Sequence, residues 1–345
     1  MDERKRRILQ AIVEDYVLTA EPVGSRTIAR KYGLGVSAAT IRNEMADLEE
    51  MGYVEQPHAS AGRIPSDRGY RFYVDELMEV KPLPPWVVER VQELCEGRVR
   101  AMEAVLQQVA RLLSEVTNSL AILVGPQAGE MVFRSLDLVP VAPSRALLVA
   151  VADLGLLESG MVEVPADLTP AELHYISQVL TRGLQGLSVQ ALSHTILREL
   201  QAELARYRQV LEQVLEILVA SAREQVPDRM YLVGLSTLLS QPEFHDRERL
   251  RAVISVLEQE VLAKYLLMVS TEREQEAGVT VSIGRENPLG EVRDLSLVFT
   301  PYRVGVSRGR LAVVGPKRMD YGRVVGAVAD FERLLSDLLG RWALV

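Results

Sequence analysis

The segment from Gly33 to Gly52 constrains the N-terminal fold more than any other part of the sequence. A Gly-Leu-Gly turn opens it, and Ser37 then stands where a helix N-cap is expected, because its hydroxyl can accept a backbone hydrogen bond from the first turn. Val36 and Ile41 have the spacing of a hydrophobic staple, and Gly52 follows where a left-handed C-terminal residue is favoured. The sequence therefore predicts a helix with both of its ends marked.

The flanking segments complete a winged helix-turn-helix. Apolar residues at helical spacing predict one helix over residues 4–17 and a shorter one over residues 25–32. After the marked helix we expect a short strand at 53–56, a loop of small residues at 57–62 and a returning strand at 63–64. Three helices, a tight turn and a two-stranded ribbon are typical of a winged helix that binds DNA.

The polar face of the marked helix carries side chains suited to reading DNA. Ala39 allows a close approach to the major groove, Arg42 can donate two hydrogen bonds to guanine, and Asn43 can pair with adenine. Thr40 can bond either a base or a phosphate. Together with residues of the second helix, the N-cap and the loop, the predicted DNA-binding residues are Arg26, Ser37, Ala39, Thr40, Arg42, Asn43, His58, Ser60, Arg63, Arg68 and Arg71. For the residues around the loop, and for the basic run at 4–7, plain solvated surface is an equal alternative.

The rest of the chain predicts a multidomain α+β protein. Pro82, Pro84 and Pro85 mark a boundary, because proline disfavours helix at its own position and at the preceding residue. Beyond it, a heptad pattern over 88–120 fits either a helix lying on a domain body or a helix paired with a second copy, with the first favoured. A more regular pattern over 193–223 favours a helix partner within or between chains. We assign dimerisation to its apolar positions, Leu197, Leu200, Leu204, Tyr207, Leu211, Val214 and Leu218.

Composition and motifs argue against an enzyme, a metal site and a membrane protein. The formal net charge is −8, which excludes a blanket of positive charge but not DNA binding, since binding depends on where the charges lie. The sequence has no Walker loop, dinucleotide-binding fingerprint, nucleophile elbow or zinc-protease motif, and its four histidines lie far apart. We therefore predict no catalytic residues, metal or cofactor. With one cysteine, no signal peptide and apolar runs too short to span a bilayer, a cytoplasmic protein is expected.

Three groups of residues carry a resemblance to a known family. They are Val36 to Met45 (VSAATIRNEM), His58 to Pro65 (HASAGRIP) followed by Gly69-Tyr70-Arg71, and Ile283 to Asn287 (IGREN) together with Gly315 to Tyr321 (GPKRMDY). In this order they closely resemble the HrcA family of heat-inducible transcription repressors, over nearly the whole chain. Lys317 departs from the threonine that the family usually has, which leaves the role of the last motif open.

The resemblance implies a bacterial, dimeric repressor that binds an inverted-repeat operator, the CIRCE element, upstream of chaperonin and related heat-shock operons. It also implies that the GroEL/GroES chaperonin keeps the repressor active. The implied fold is a winged helix, a GAF-like domain and a helical dimerisation domain inserted in it. On this basis the expected domains are 1–80 (winged helix), 81–118 (linker and long helix), 119–185 and 246–345 (GAF-like), and 186–245 (insertion). The alternative is a regulator that senses a small molecule in the GAF-like domain.

Overall fold

The structure is a computed structural model in which the α+β class and the N-terminal winged helix are confirmed. The described residues are 1–96, 102–126, 131–153, 155–188, 191, 194–223, 230–244, 254, 278–287, 292–305 and 307–343. The winged helix consists of α1 (Glu3–Thr19), α2 (Ser25–Lys31), α3 (Ala38–Glu50), β1 (Val54–Glu55), β2 (Ile64–Pro65) and α4 (Asp67–Glu76).

The winged helix closes around fully buried aliphatic side chains from each of its first three helices. Ile8, Ile12, Ile28, Ile41 and Leu48 have no exposed surface. Strands β1 and β2 pair antiparallel and form the base of the wing, as the sequence predicts. The apolar positions that define the helical periods are therefore the ones that form this core.

The body of the molecule is a five-stranded antiparallel sheet covered by helices, together with a separate three-stranded sheet. Its elements are α5 (Pro85–Glu96), α6 (Met102–Thr117), β3 (Leu120–Val124), β4 (Phe133–Ala142), β5 (Arg145–Ala152), β6 (Gly155–Glu163), α7 (Pro170–Leu184), α8 (His194–Glu203), α9 (Arg208–Arg223), β7 (Met230–Val233), α10 (Leu235–Leu239), β8 (Thr280–Ile283), β9 (Leu295–Val304), β10 (Ser307–Pro316) and α11 (Tyr321–Ala343). The five-stranded sheet has the order β7-β3-β10-β9-β8. Helices α6 and α11 pack against this sheet and against each other, and α10 lies beside β3. Strand β3 is buried along its whole length, and it appears in the sequence as a continuous apolar run.

The heptad pattern over 88–120 belongs to two helices instead of one. Helices α5 and α6 pack against each other and both contact α11. The heptad spacing correctly indicated which face of these helices is apolar and buried. The favoured interpretation, in which this segment lies on the domain body, agrees with the packing against α11. One continuous helix would not allow its two halves to touch.

The unit inserted between β3 and β7 is larger than the sequence suggested. Strands β3 and β7 pair with each other in the large sheet, whereas β4, β5 and β6 form their own sheet. Helix α7 packs against β4, α8 against α7, and α9 against β6. The inserted unit thus spans residues 131–223 and is itself α+β, so the strand pairing does not follow the predicted limits at 119–185 and 186–245. Alternation of residues predicts strands, but it does not tell which strands pair.

Candidate DNA-binding surface

Helix α3 begins at the cap that the sequence marks. The Ser37 hydroxyl accepts a hydrogen bond from the Thr40 backbone N–H at 3.2 Å, and the two side-chain oxygens lie 3.0 Å apart. Ile41, Met45 and Leu48 face the core. Because the cap fixes the first turn, the remaining free N–H groups of that turn point out of the helix and can bind a phosphate.

The exposed face of the first half of α3 is free to meet base edges. Ala39, Arg42 and Asn43 are exposed, and Thr40 is half-buried. Within the described part of the chain, neither Arg42 nor Asn43 has a hydrogen bond or an ion pair. Their donors and acceptors are therefore free to bond base edges, Arg42 to guanine and Asn43 to adenine.

The second half of α3 is acidic, and basic residues from elsewhere neutralise it. Lys5 lies 2.7 Å from Glu44 and 3.1 Å from Asp47, and Arg4 lies 3.4 Å from Glu44. The Lys5 ammonium is hydrogen-bonded to Glu44 and to Asp47. These bonds, the one to Glu44 most strongly, raise the pKa of Lys5 above its ordinary value. The basic run at the start of α1 was expected to meet a phosphate or the solvent. Two of its members instead offset negative charge on the recognition helix.

The wing is held in shape by one amide side chain that sequence reasoning missed. The Gln56 Nε2 donates to the carbonyl oxygens of Ala59 at 3.1 Å and Ala61 at 3.0 Å. His58 and Ser60 are exposed at the tip, with the His58 ring nitrogen 3.2 Å from the Ser60 hydroxyl. An amide directly before a run of small residues was the available signal, because such side chains often bond the backbone of a neighbouring turn.

Two of the arginines predicted to contact DNA are engaged elsewhere. Arg63 forms a 2.7 Å ion pair with Glu49, and its side chain is only 16% exposed. Arg71 points at the body of the molecule, where its Nε donates to Glu286 at 2.8 Å and its Nη2 donates to the Val281 carbonyl at 2.8 Å. Because the partners of Arg71 lie on the body, the structure argues against a DNA contact for it. Arg63 is paired with α3 itself, and its DNA contact stays a prediction.

The other two arginines remain at the surface. Arg68 donates to the Met51 carbonyl at 2.8 Å, and its guanidinium stacks over the Tyr53 ring at 4.6 Å while staying exposed. Arg26 is exposed on α2 and has no ion pair within the described residues. Both can therefore face a phosphate.

The apolar seam assigned to dimerisation is buried inside one chain. Leu200, Leu204, Leu211, Val214 and Leu218 are at most 3% exposed. The seam is also interrupted, since α8 ends near Leu204 and α9 begins at Arg208 after a short 3₁₀ turn. The break lets α8 lie on α7 and α9 lie on β6, so the partner of these positions is the same subunit and the dimerisation assignment was wrong for them.

Tyr207 and Leu197 complete that set. Tyr207 is half-buried and donates a hydrogen bond to Glu172 at 3.1 Å, again within the chain. The side chain of Leu197 lies outside the described part.

Helix side chains bond part of each edge of the three-stranded sheet, and one face of the sheet is open and apolar. Along β4, the Leu138 N–H donates to Ser177 at 2.9 Å, and along β6, Gln213 bonds the Glu163 backbone at 2.8 and 3.1 Å. The outer face presents Val139, Val141 and Met161, which are 47, 60 and 50% exposed. Val139 pairs in register with Leu147, and Leu147 pairs with Met161, so the apolar side chains form a row across all three strands. A contiguous apolar surface of this kind is typical of an interaction site.

Comparison with known proteins places the chain in a family. Residues 103–325 match the model of the HrcA protein C-terminal domain. The heat-inducible transcription repressor HrcA of Pelotomaculum thermopropionicum is 46% identical over 99% of this chain and 97% of that protein. The chain belongs to the HrcA family. The corresponding repressor of Symbiobacterium thermophilum is 47% identical over 98% of both chains. Both relatives carry the name heat-inducible transcription repressor HrcA, and this chain is likewise a heat-inducible transcription repressor.

A solved structure supports the same fold. A crystal structure described as that of a hypothetical protein matches with a TM-score of 0.64 and 24% identity, covering 99% of both chains. The two proteins therefore share a fold over 99% of both chains. Among the described helices of this HrcA chain, none has the length and apolar character needed to cross a bilayer.

Proposed function

We propose that the protein is a homodimeric repressor that binds an inverted-repeat CIRCE operator and thereby blocks transcription of chaperonin and related heat-shock operons. The exposed first half of α3 carries this proposal, because Arg42 and Asn43 have no partner among the described residues. A two-fold dimer would present two such helices to successive major grooves, about 34 Å apart or a multiple of that, so a palindromic operator follows from its symmetry.

Phosphate contacts supply much of the affinity in this proposal. Arg26 and Arg68 are exposed beside α3, and the first turn of α3 offers free backbone N–H groups. Pairing of Glu44 and Asp47 with Lys5 reduces the repulsion that these carboxylates would exert on the DNA backbone. Since the contacts are ionic, binding should weaken steeply as salt is raised.

The outer face of the three-stranded sheet is the surface that best fits a second copy. Hydrogen bonds from helix side chains occupy the edges at Leu138 and Glu163, which argues against joining the two sheets edge to edge. The row through Val139, Leu147 and Met161 can pack against its own copy about a two-fold axis, because an isologous contact needs only a self-complementary patch.

The family resemblance supports two further parts of the proposal. The repressor would act in the cytoplasm on the bacterial nucleoid, and the GroEL/GroES chaperonin would keep it in the DNA-binding form. Unfolded proteins that occupy the chaperonin would then relieve repression. The ligand-sensing alternative stays a prediction.

Binding of the full chain to duplex DNA tests the proposal. A duplex with the inverted repeat is compared with a scrambled duplex at the same salt, with and without the chaperonin. Preferential binding to the repeat that the chaperonin strengthens supports every part. Equal, weak binding to both duplexes in the presence of chaperonin contradicts the assigned operator.

A further inference from the structure

The motif around Lys317, whose role the sequence left open, holds the winged helix on the body. Lys317 forms a 2.7 Å ion pair with Asp67 at the start of α4, and the Arg285 backbone N–H donates to the same carboxylate at 3.1 Å. Gly284 has a φ of +55°, and a β-carbon there would lie 2.4 Å from the Asp67 carboxylate. Only glycine allows this approach. The segments around Gly284 and Lys317 therefore bind the first residue of α4 together.

Arg71 makes a second contact one turn further along α4. Its guanidinium donates to both carboxylate oxygens of Glu286 and, at 2.8 Å, to the Val281 carbonyl. The hydrogen bonds to Glu286 raise the pKa of the Arg71 guanidinium above its ordinary value. Because the planar guanidinium of Arg71 is bonded on two sides, it limits rotation of α4 against the body as well as the distance between them.

Arg318 makes a third contact, to a different helix of the winged helix. Its Nη1 donates to the Val17 carbonyl in the last turn of α1 at 2.6 Å, and its Nε donates to Glu243 at 2.5 Å. Its side chain is 13% exposed. The body thus holds both α1 and α4, which lie apart in the sequence.

The connection between the two domains is itself bonded to α11. The Lys81 backbone N–H donates to the Gly322 carbonyl at 3.0 Å, and the Leu83 N–H donates to Asp330 at 2.9 Å. A β-carbon at Gly326 would lie 1.9 Å from the Lys81 carbonyl oxygen, so the segment runs directly against the helix. This proline-containing segment therefore does not act as a free linker.

We propose that Asp67, Arg71, Lys317 and Arg318, which we call the clamp, are positioning residues for operator recognition. By fixing the winged helix to the body at α1, at α4 and along the connection, the clamp sets the separation and direction of the two recognition helices in the dimer. The clamp thereby determines which distance between half-sites the repressor accepts. This inference rests on the proposed dimer and inverted repeat. A winged helix swivelling on a flexible tether would accept many distances instead.

The test compares duplexes that differ only in the spacer between two half-sites, plus a duplex with a single half-site. The wild-type chain should lose about tenfold or more in affinity when about 5 base pairs, half a helical turn, are added to its preferred spacer. The double variant Arg71→Gln with Lys317→Gln should bind the single half-site as the wild type does, while its affinities for the two spacers should agree within about threefold. Lys317→Arg keeps the charge and should keep the preference. Arg90→Gln removes an equivalent surface ion pair on α5 and serves as the matched control.

Two results would overturn the inference. One is a double variant that folds and keeps the wild-type spacer preference. The other is an equal loss of affinity on the single half-site, which would mean that these residues act on the winged helix itself. If the double variant does not fold, Lys317→Gln alone, at a partly exposed lysine, gives the same comparison. A wild-type chain that binds repeat and scrambled DNA equally would instead contradict the proposed function.

Discussion

Replacing Arg42 by alanine separates recognition of bases from folding. The arginine is exposed on α3 and has no intramolecular partner among the described residues, so its removal should leave the melting temperature unchanged. A bidentate contact to a base contributes about 1–3 kcal/mol to discrimination. Since the proposed dimer would place two copies of Arg42 on its operator, the loss should be about 2–6 kcal/mol, or about 30-fold to 2 × 10⁴-fold in affinity.

Fluorescence anisotropy with labelled duplexes measures this loss at one fixed salt concentration. The full operator, a single half-site and a scrambled duplex are titrated with the wild type, with Arg42→Ala and with the control Arg90→Ala. The single half-site should show half of the free-energy loss seen on the full operator, and the scrambled duplex should show little change. An equal loss on all three duplexes would refute the reasoning, because Arg42 would then be a phosphate contact.

Three further predictions concern the dimer, the charges on α3 and alkaline pH. Met161→Asp should dissociate the proposed dimer in sedimentation experiments while the subunit stays folded. Leu204→Asp should instead unfold the subunit, because it buries an unpaired carboxylate. A Met161→Asp variant that remains dimeric would rule out the outer sheet face as the dimer interface. Lys5→Met should weaken operator binding in the anisotropy assay, and adding Asp47→Asn should restore part of the affinity, since it removes one of the exposed charges; no recovery would mean that Lys5 acts through the fold alone. Burial raises the pKa of the Tyr70 hydroxyl well above its ordinary value, and this buried hydroxyl has no hydrogen-bond partner among the described residues. The folded state therefore holds this proton more tightly than the unfolded state, so the contribution is present below pH about 10 and is lost above it. Tyr70→Phe should raise stability by about 1 kcal/mol near neutral pH and flatten its decline above pH 10 in urea titrations; a steeper decline would contradict the assignment.

Local signals made the winged helix predictable from the sequence. The Ser37 cap, the buried side of α3 and the exposed pair Arg42 and Asn43 all depend on residues within a few positions of one another. The partners of Arg63 and Arg71 could not be predicted in the same way. Glu286 lies 215 residues from Arg71, and only the folded chain brings the two together.

The seam through Leu204 shows a second limit of sequence reasoning. Its period correctly indicated an apolar face, and the structure buries that face. The period does not say whether the covering surface belongs to the same chain or to a second copy. In the same way, the resemblance implied an inserted domain without indicating that β4, β5 and β6 form a sheet of their own.

The acidic second half of α3 has a consequence for how the repressor searches the chromosome. A genome offers on the order of a million or more competing sites to any DNA-binding protein, and attraction to phosphates alone would leave most copies occupied on them. The exposed carboxylate of Glu50, which has no ion pair among the described residues, and the net charge of −8 reduce that sequence-independent attraction. A larger share of the molecules can then remain free for the proposed operator than a basic surface would allow.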